Sequence, residues 1–144
     1  MKRYTPDALL LFCLVATLLF LPGLPMDADA GTISGTMQMK AGAPMANGMA
    51  IFFDSSQGPP PVPGKQFRPP DLTEHLDEEG SFNVKMKEGE YYFGAVLWLK
   101  GDDPGPPRPG DSFFIIRDRT VVIPEEGLVE LGVVAEGEIF QERN

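Results

Sequence analysis

The stretch Ser81–Lys100, "SFNVKMKEGEYYFGAVLWLK", decides the fold. In its first half Phe82, Val84 and Met86 alternate with Ser81, Asn83 and Lys85. This period of two belongs to a strand with one buried and one wet face. "KEGE" then turns the chain back into a second strand. On that strand Tyr91, Phe93, Ala95, Leu97 and Leu99 form an apolar face expected to point inward. The opposite face, Tyr92, Gly94, Val96 and Trp98, is also apolar until Lys100. A sheet with one solvated side does not read this way. Something covers Tyr92, Val96 and Trp98, or they form an exposed patch with a purpose.

Two proline-rich segments are the available cover. "GPPPVPGKQFRPPD", Gly58–Asp71, holds six prolines in fourteen residues, and "GDDPGPPRPGD", Gly101–Asp111, echoes it. Neither suits a helix or a central strand, because proline lacks the N–H and fixes φ. Proline loses little entropy on ordering, and a polyproline strip fits a flat aromatic surface. Pro59–Pro63 or Pro104–Pro109 is therefore expected to lie against Trp98 or Tyr92, with the outer edges left to recognise a partner.

The same alternation runs outward from this stretch in both directions. "GTISGTMQMK" puts Ile33, Gly35, Met37 and Met39 on one face, and "MAIFF" does so with Met49, Ile51 and Phe53. "LTEHL", "SFFIIR", "VVI" and "LVELGVV" add short strands, separated by "AGAPMANG", "DEEG", "DRT" and "PEEG" turns. No segment carries a 3.6-residue apolar stripe. The pattern predicts an all-β antiparallel sandwich of seven to eight strands, interrupted by the two proline-rich insertions.

The first thirty residues read as an export leader. Lys2 and Arg3 precede the apolar run Ala8–Leu21, Pro22 and Gly23 break it, and Ala28–Ala30 offers small residues for cleavage. Fourteen helical residues span about 21 Å, short of a hydrocarbon core of ~30 Å. The expected organisation is a cleaved leader over 1–30 and one domain over 31–144, periplasmic or secreted. Cys13 lies in the middle of the apolar run and does not read as a lipoprotein cysteine. The remaining chain has no cysteine, hence no disulfide framework and no thiol nucleophile. Removing Lys2, Arg3, Asp7, Asp27 and Asp29 from 12 basic and 21 acidic residues leaves a net charge of −8. That balance argues against nucleic acid and anionic membrane surfaces as partners.

Several strings in order, "GTISGTM", "GAPMANGMAIFF", "LDEEGSFNVKMKEGEYYFGAV" and "VVIPEEGLVELG", resemble the carboxypeptidase regulatory-like domain, a transthyretin-like (prealbumin-like, Ig-like) sandwich. Asp77, Gly80, Phe82, Gly89 and Tyr91 match its usual turn and strand motif, while Leu76 stands where the family often has Thr. The resemblance implies a rigid, non-catalytic binding or scaffolding module, accessory to another envelope or extracellular protein. It also implies bacterial multihaem cytochromes as one class of partner, an association that no residue here displays. Similar sandwiches include starch-binding-like domains, a hydroxyisourate hydrolase and intradiol dioxygenases. The latter two need clustered histidines or a His and Tyr iron site, and this chain has one histidine.

Candidate sites are few. His75 stands without an evident nucleophile, so no catalytic residue is assigned. In "DEEG", Asp77 reads as a turn residue accepting backbone N–H groups and Gly80 as its positive-φ corner, rather than as a calcium loop. Asp102, Asp103 and Asp111 bracket the second proline segment and would hold a cation only if that loop folded back on itself. No metal or cofactor is expected. The candidate binding set is Trp98, Tyr92 and Phe67, with Arg68 and Arg108 from the two proline segments. As an open aromatic platform this set would suit carbohydrate, the alternative to a protein-binding module.

Overall fold

The computed structural model describes residues 30–62, 65, 67–100 and 105–141. The leader features up to Asp29, Pro63, and the stretch holding Asp102, Asp103 and Pro104 lie outside the described residues. Eight strands follow in chain order: β1 (Ala30–Met39), β2 (Met49–Asp54), β3 (Leu72–His75), β4 (Ser81–Lys87), β5 (Gly89–Leu97), β6 (Ser112–Ile115), β7 (Val121–Ile123) and β8 (Leu128–Ile139). A single 3-10 turn at Ser55–Gln57 is the one helical element among the described residues.

The strands hydrogen-bond in the order β3-β2-β5-β6-β8-β1-β4, with β7 on the remaining part of β5. The two ends of this path, β3 and β4, approach each other, so the sheet is nearly closed into a barrel. The expected all-β class holds, but the purely antiparallel arrangement does not. β1 and β8 run parallel, from Thr32 opposite Leu128 to Met39 opposite Gly137. The strands nearest the two ends of the domain meet side by side, a pairing that no local turn dictates. Register shifts between Ser34 and Thr36, where β8 passes through Gly132 at φ 67°, and between Gln38 and Met39 each place an extra β8 residue against β1. β8 then reaches β6 at Glu138 and Ile139 and is longer than the predicted "LVELGVV".

A second correction concerns the opening stretch. β4 and β5 are consecutive but not paired: β4 lies beside β1, and β5 between β2 and β6. "KEGE" therefore carries the chain across the core instead of closing a hairpin. The faces are nonetheless as the alternation demands. Phe82 and Met86 are buried and Val84 packs partly against them, while Asn83 and Lys85 are exposed. Tyr91, Phe93 and Ala95 enter the same core from the opposite side. Leu99 is the exception: the strand ends at Leu97, and Leu99 is 73% exposed.

The core is sealed by large side chains that meet across it. Phe82 of β4 packs edge-on against Phe52 of β2, with centroids 5.8 Å apart and an interplanar angle of 62°. Burying one such ring contributes about 1.5–3 kcal/mol. The Asp77 turn forms as expected: its Oδ1 accepts the N–H groups of Glu79 at 3.0 Å and Ser81 at 2.7 Å. Gly80 sits at φ 76°, where a Cβ would also lie 2.5 Å from the Met37 carbonyl oxygen.

Candidate functional site: a roofed apolar cleft

β2 and β5 are buried on both faces. Ala50 and Phe52 point into the main core, and Ile51 and Phe53 point out, where they are nonetheless only 4% and 2% exposed. With Val96 they form a second apolar cluster on the outer side of the sheet, joined by Met49, Tyr92, Trp98, Phe113 and Ile115. Gly94 keeps this surface flat. A Cβ there would lie 2.1 Å from the Phe114 carbonyl oxygen, so only glycine lets β5 and β6 approach this closely.

The two proline segments rise over this cluster as the composition predicts, yet they do not seal it. They wall a cleft of about 620 Å³. Its floor is Met49, Ile51, Phe53, Val96, Phe113 and Ile115. One wall is Pro61, Val62, Phe67, Pro69 and Pro70 from the first segment. The other is Trp98 with Gly105, Pro106 and Pro107 of the second, and Phe140 joins the lining from beyond β8. Trp98 is tied to the second segment directly: its indole Nε1–H donates to the Gly105 carbonyl at 3.3 Å.

Each wall is latched at its base by a carboxylate. Asp111, the one buried charged side chain among the described residues, accepts the Leu99 N–H at 2.9 Å on Oδ1 and the Arg108 N–H at 2.8 Å on Oδ2. This draws the two ends of the second segment together, so Asp111 serves as a backbone latch. Its own carbonyl accepts the Phe140 N–H at 2.7 Å, which seats that ring at the cleft. In the first segment Asp71 accepts the Asp54 N–H at 2.8 Å and the Gln57 side-chain amide at 2.9 Å. Both latches close the same short string, Arg-Pro-x-Asp, at Arg68–Asp71 and Arg108–Asp111. That repeat was the available sequence signal for them.

The expected binding residues divide. Trp98 and Phe67 line the cleft, Phe67 being half exposed. Tyr92 shares the outer face but packs into the second cluster without reaching the lining. Arg68 serves the fold. Its guanidinium stacks 5.3 Å from the Phe53 ring centre and donates to the Gln57 carbonyl at 2.9 Å and to Asp71 at 3.3 Å. Arg108 lies on the second segment outside the cleft lining, with its backbone held by Asp111. His75 ends β3, exposed, opposite Met49. Pattern reading missed Arg117, whose guanidinium donates to the carbonyls of Pro60, at 2.9 Å, and Pro61. It also missed Lys65, the one charged side chain of the described lining.

The polar side-chain atoms of that lining are the Lys65 ammonium, the Thr73 hydroxyl and the Trp98 indole N–H, the last already bonded to Gly105. Among the described residues, the lining holds no carboxylate and no imidazole. Among the described residues no three His, Cys, Asp or Glu gather as a metal set, and no helix is long and apolar enough to cross a membrane.

No family model and no curated protein matches the chain. Among solved structures it is similar to a 9R-lipoxygenase from Cyanothece PCC8801, with a TM-score of 0.45 and 11% identity over 91% of this chain. The match spans 20% of the lipoxygenase.

Proposed function

We propose that the protein is an exported, non-enzymatic binding module of the transthyretin-like kind, and that the cleft between its proline segments is the binding site. The observation that carries this reading is the cleft itself: about 620 Å³ of apolar space held open above a complete core. That volume falls within the ~300–1,000 Å³ typical of small-molecule sites. Prolines, two aspartate latches and Arg117 keep the walls apart, and such stiffness lowers the ordering cost of binding. The Asp77–Gly80 turn supports the family reading. The leader-like residues 1–30 support export, and exported protein beginning at Gly31 is the outcome expected from N-terminal sequencing. Accessory service to another exported protein follows from the same family reading.

A sugar suits this lining less well than an apolar ligand. Hydroxyl groups brought here would lose water and find few partners, at a cost of roughly 1–3 kcal/mol each. Trp98 is a wall with its N–H engaged, not an open platform.

Titration with the neutral apolar dye Nile red tests the assignment, with Trp98, the sole tryptophan, as a second reporter. Saturable binding is expected in the wild type. Thr73 is exposed on β3 and lines the cleft, so Thr73→Phe should fill the space without disturbing the core, and should abolish binding while the thermal transition stays in place. Binding unaffected by Thr73→Phe would remove the cleft from the mechanism. Soluble glucans that bind in a Thr73-dependent way, where Nile red does not, would put carbohydrate first.

A further inference from the structure

Resting on the binding reading above, we infer that the ligand is a small anionic amphiphile, a linear carboxylate whose chain lies along the apolar floor and whose head meets Lys65.

The inference starts from charge. The chain carries 21 acidic and 12 basic residues, so a random patch of its surface is more often negative than positive. Among the described residues the cleft reverses this. Its described lining contains no acid and one cation. Lys65 is exposed while also belonging to the lining, which puts it at the rim, where the cleft meets water. An ammonium on a flexible stem at such a rim attracts an anion without being buried, so neither charge is stripped of water at full cost.

The body of the ligand follows from the floor. Ile51, Phe53 and Val96 are nearly inaccessible, and Phe113 and Ile115 extend the same surface. A peptide laid here would bring one N–H and one C=O per residue to a lining in which, among the described residues, only Thr73 and Lys65 offer side-chain polar groups not already bonded. β2 and β5, which carry Ile51, Phe53 and Val96 of the floor, already have a strand on each side, so this part of the floor offers no edge to pair with. A hydrocarbon chain needs neither. One charged end and one apolar body match a lining with one charged end and one apolar floor.

The test is displacement of Nile red by straight-chain carboxylates from hexanoate to decanoate, each below its micelle concentration, at neutral pH. Affinity should rise about fourfold per added methylene, the transfer free energy of one CH₂. Relative to the methyl ester of equal length, decanoate should lose up to about fivefold in Lys65→Gln, the size of an exposed ion pair. It should regain that in Lys65→Arg. Added salt should weaken decanoate binding in the wild type but not in Lys65→Gln. Lys65→Glu should turn the preference toward decylammonium. Lys65 is exposed, so all three variants should fold; coincident thermal transitions check this. Nile red displaced with the same ratio of carboxylate to ester in every variant would overturn the anionic head while leaving the cleft as the site. Affinity flat with chain length would overturn the hydrocarbon body. Absence of Nile red binding in the wild type would overturn both this inference and the binding reading beneath it.

Discussion

Arg117 donates from its guanidinium to the Pro60 carbonyl at 2.9 Å, joining the residues after β6 to a proline segment 57 positions earlier in the chain. A second donor of the same fork reaches the Pro61 carbonyl. Two adjacent carbonyls held by one planar group leave the first wall little freedom to swing.

Arg117→Ala should therefore loosen that wall more than it unfolds the domain. Hydrogen bonds from a charged donor contribute about 1.5–3 kcal/mol when well made, and less where water competes. Denaturant unfolding should show a loss at or below the lower end of that range. Amide exchange should quicken at Lys65, whose N–H is bonded to the Val62 carbonyl, and stay slow in β4. Arg117→Lys should recover only part of the loss, since one ammonium does not reproduce the fork. Exchange at Lys65 unchanged by Arg117→Ala would show that the contact does not hold the wall.

Asp111 latches the second wall, and its removal should be felt at Trp98. Asp111→Ala leaves the Leu99 and Arg108 N–H groups without their acceptor, at a cost of about 1–3 kcal/mol. Asp111→Asn keeps one acceptor oxygen and should cost less. Because Trp98 is bonded to Gly105 within that loop, its emission should move to the red in Asp111→Ala before global unfolding. An emission maximum already water-like in the wild type, and unchanged in the variant, would contradict the walled geometry.

The register of β4 gives a direct contrast. Phe82→Ala removes a ring buried against Phe52 and should cost about 3–5 kcal/mol. Lys85→Ala, on the exposed face, should cost about 0.5 kcal/mol or less. Similar losses at the two positions would mean that the strand is shifted by one residue, which would exchange its faces.

Tyr91 links stability to alkaline pH. Burial pushes its phenol above the ordinary value of 10.0, and the Asp54 and Asp71 carboxylates push the same way. The folded state thus holds the phenolic proton to higher pH than the unfolded chain. The stability this contributes is fully present below about pH 10 and is lost as pH rises through the folded value. Tyr91→Phe deletes the bond from its hydroxyl to the Lys87 carbonyl, 3.2 Å, so a loss of about 1 kcal/mol at pH 7 is expected. The alkaline decline in stability should then be shallower than in the wild type. Parallel pH profiles for the two proteins would show that Tyr91 does not titrate with unfolding.

The sequence by itself determined the core-facing side of β1, β4 and β5, whereas in β2 it marked Met49, Ile51 and Phe53, which face the outer cluster, and not Ala50 and Phe52, which enter the core. Ile33 and Met37, Phe82 and Met86, and Tyr91 and Phe93 go to the core because period-two alternation is a local property of the chain. The Asp77–Gly80 turn was legible for the same reason: its carboxylate bonds to N–H groups two and four residues on. The doubly apolar β5 announced that its outer face would be covered, and proline content pointed to the cover. Partners in space were left to the tertiary structure. Alternation says that a face is buried but not what buries it, so β4 and β5 looked like a hairpin although each pairs elsewhere, and β1 lies parallel to β8 from the far end of the domain. The cleft arose at this level too. It needs Lys65, Trp98, Phe113 and Phe140 from four separate parts of the chain, held apart by Asp71, Asp111 and Arg117. A void between packed elements has no local signature, because it depends on how far two walls stand from a floor, and only the folded arrangement sets that distance.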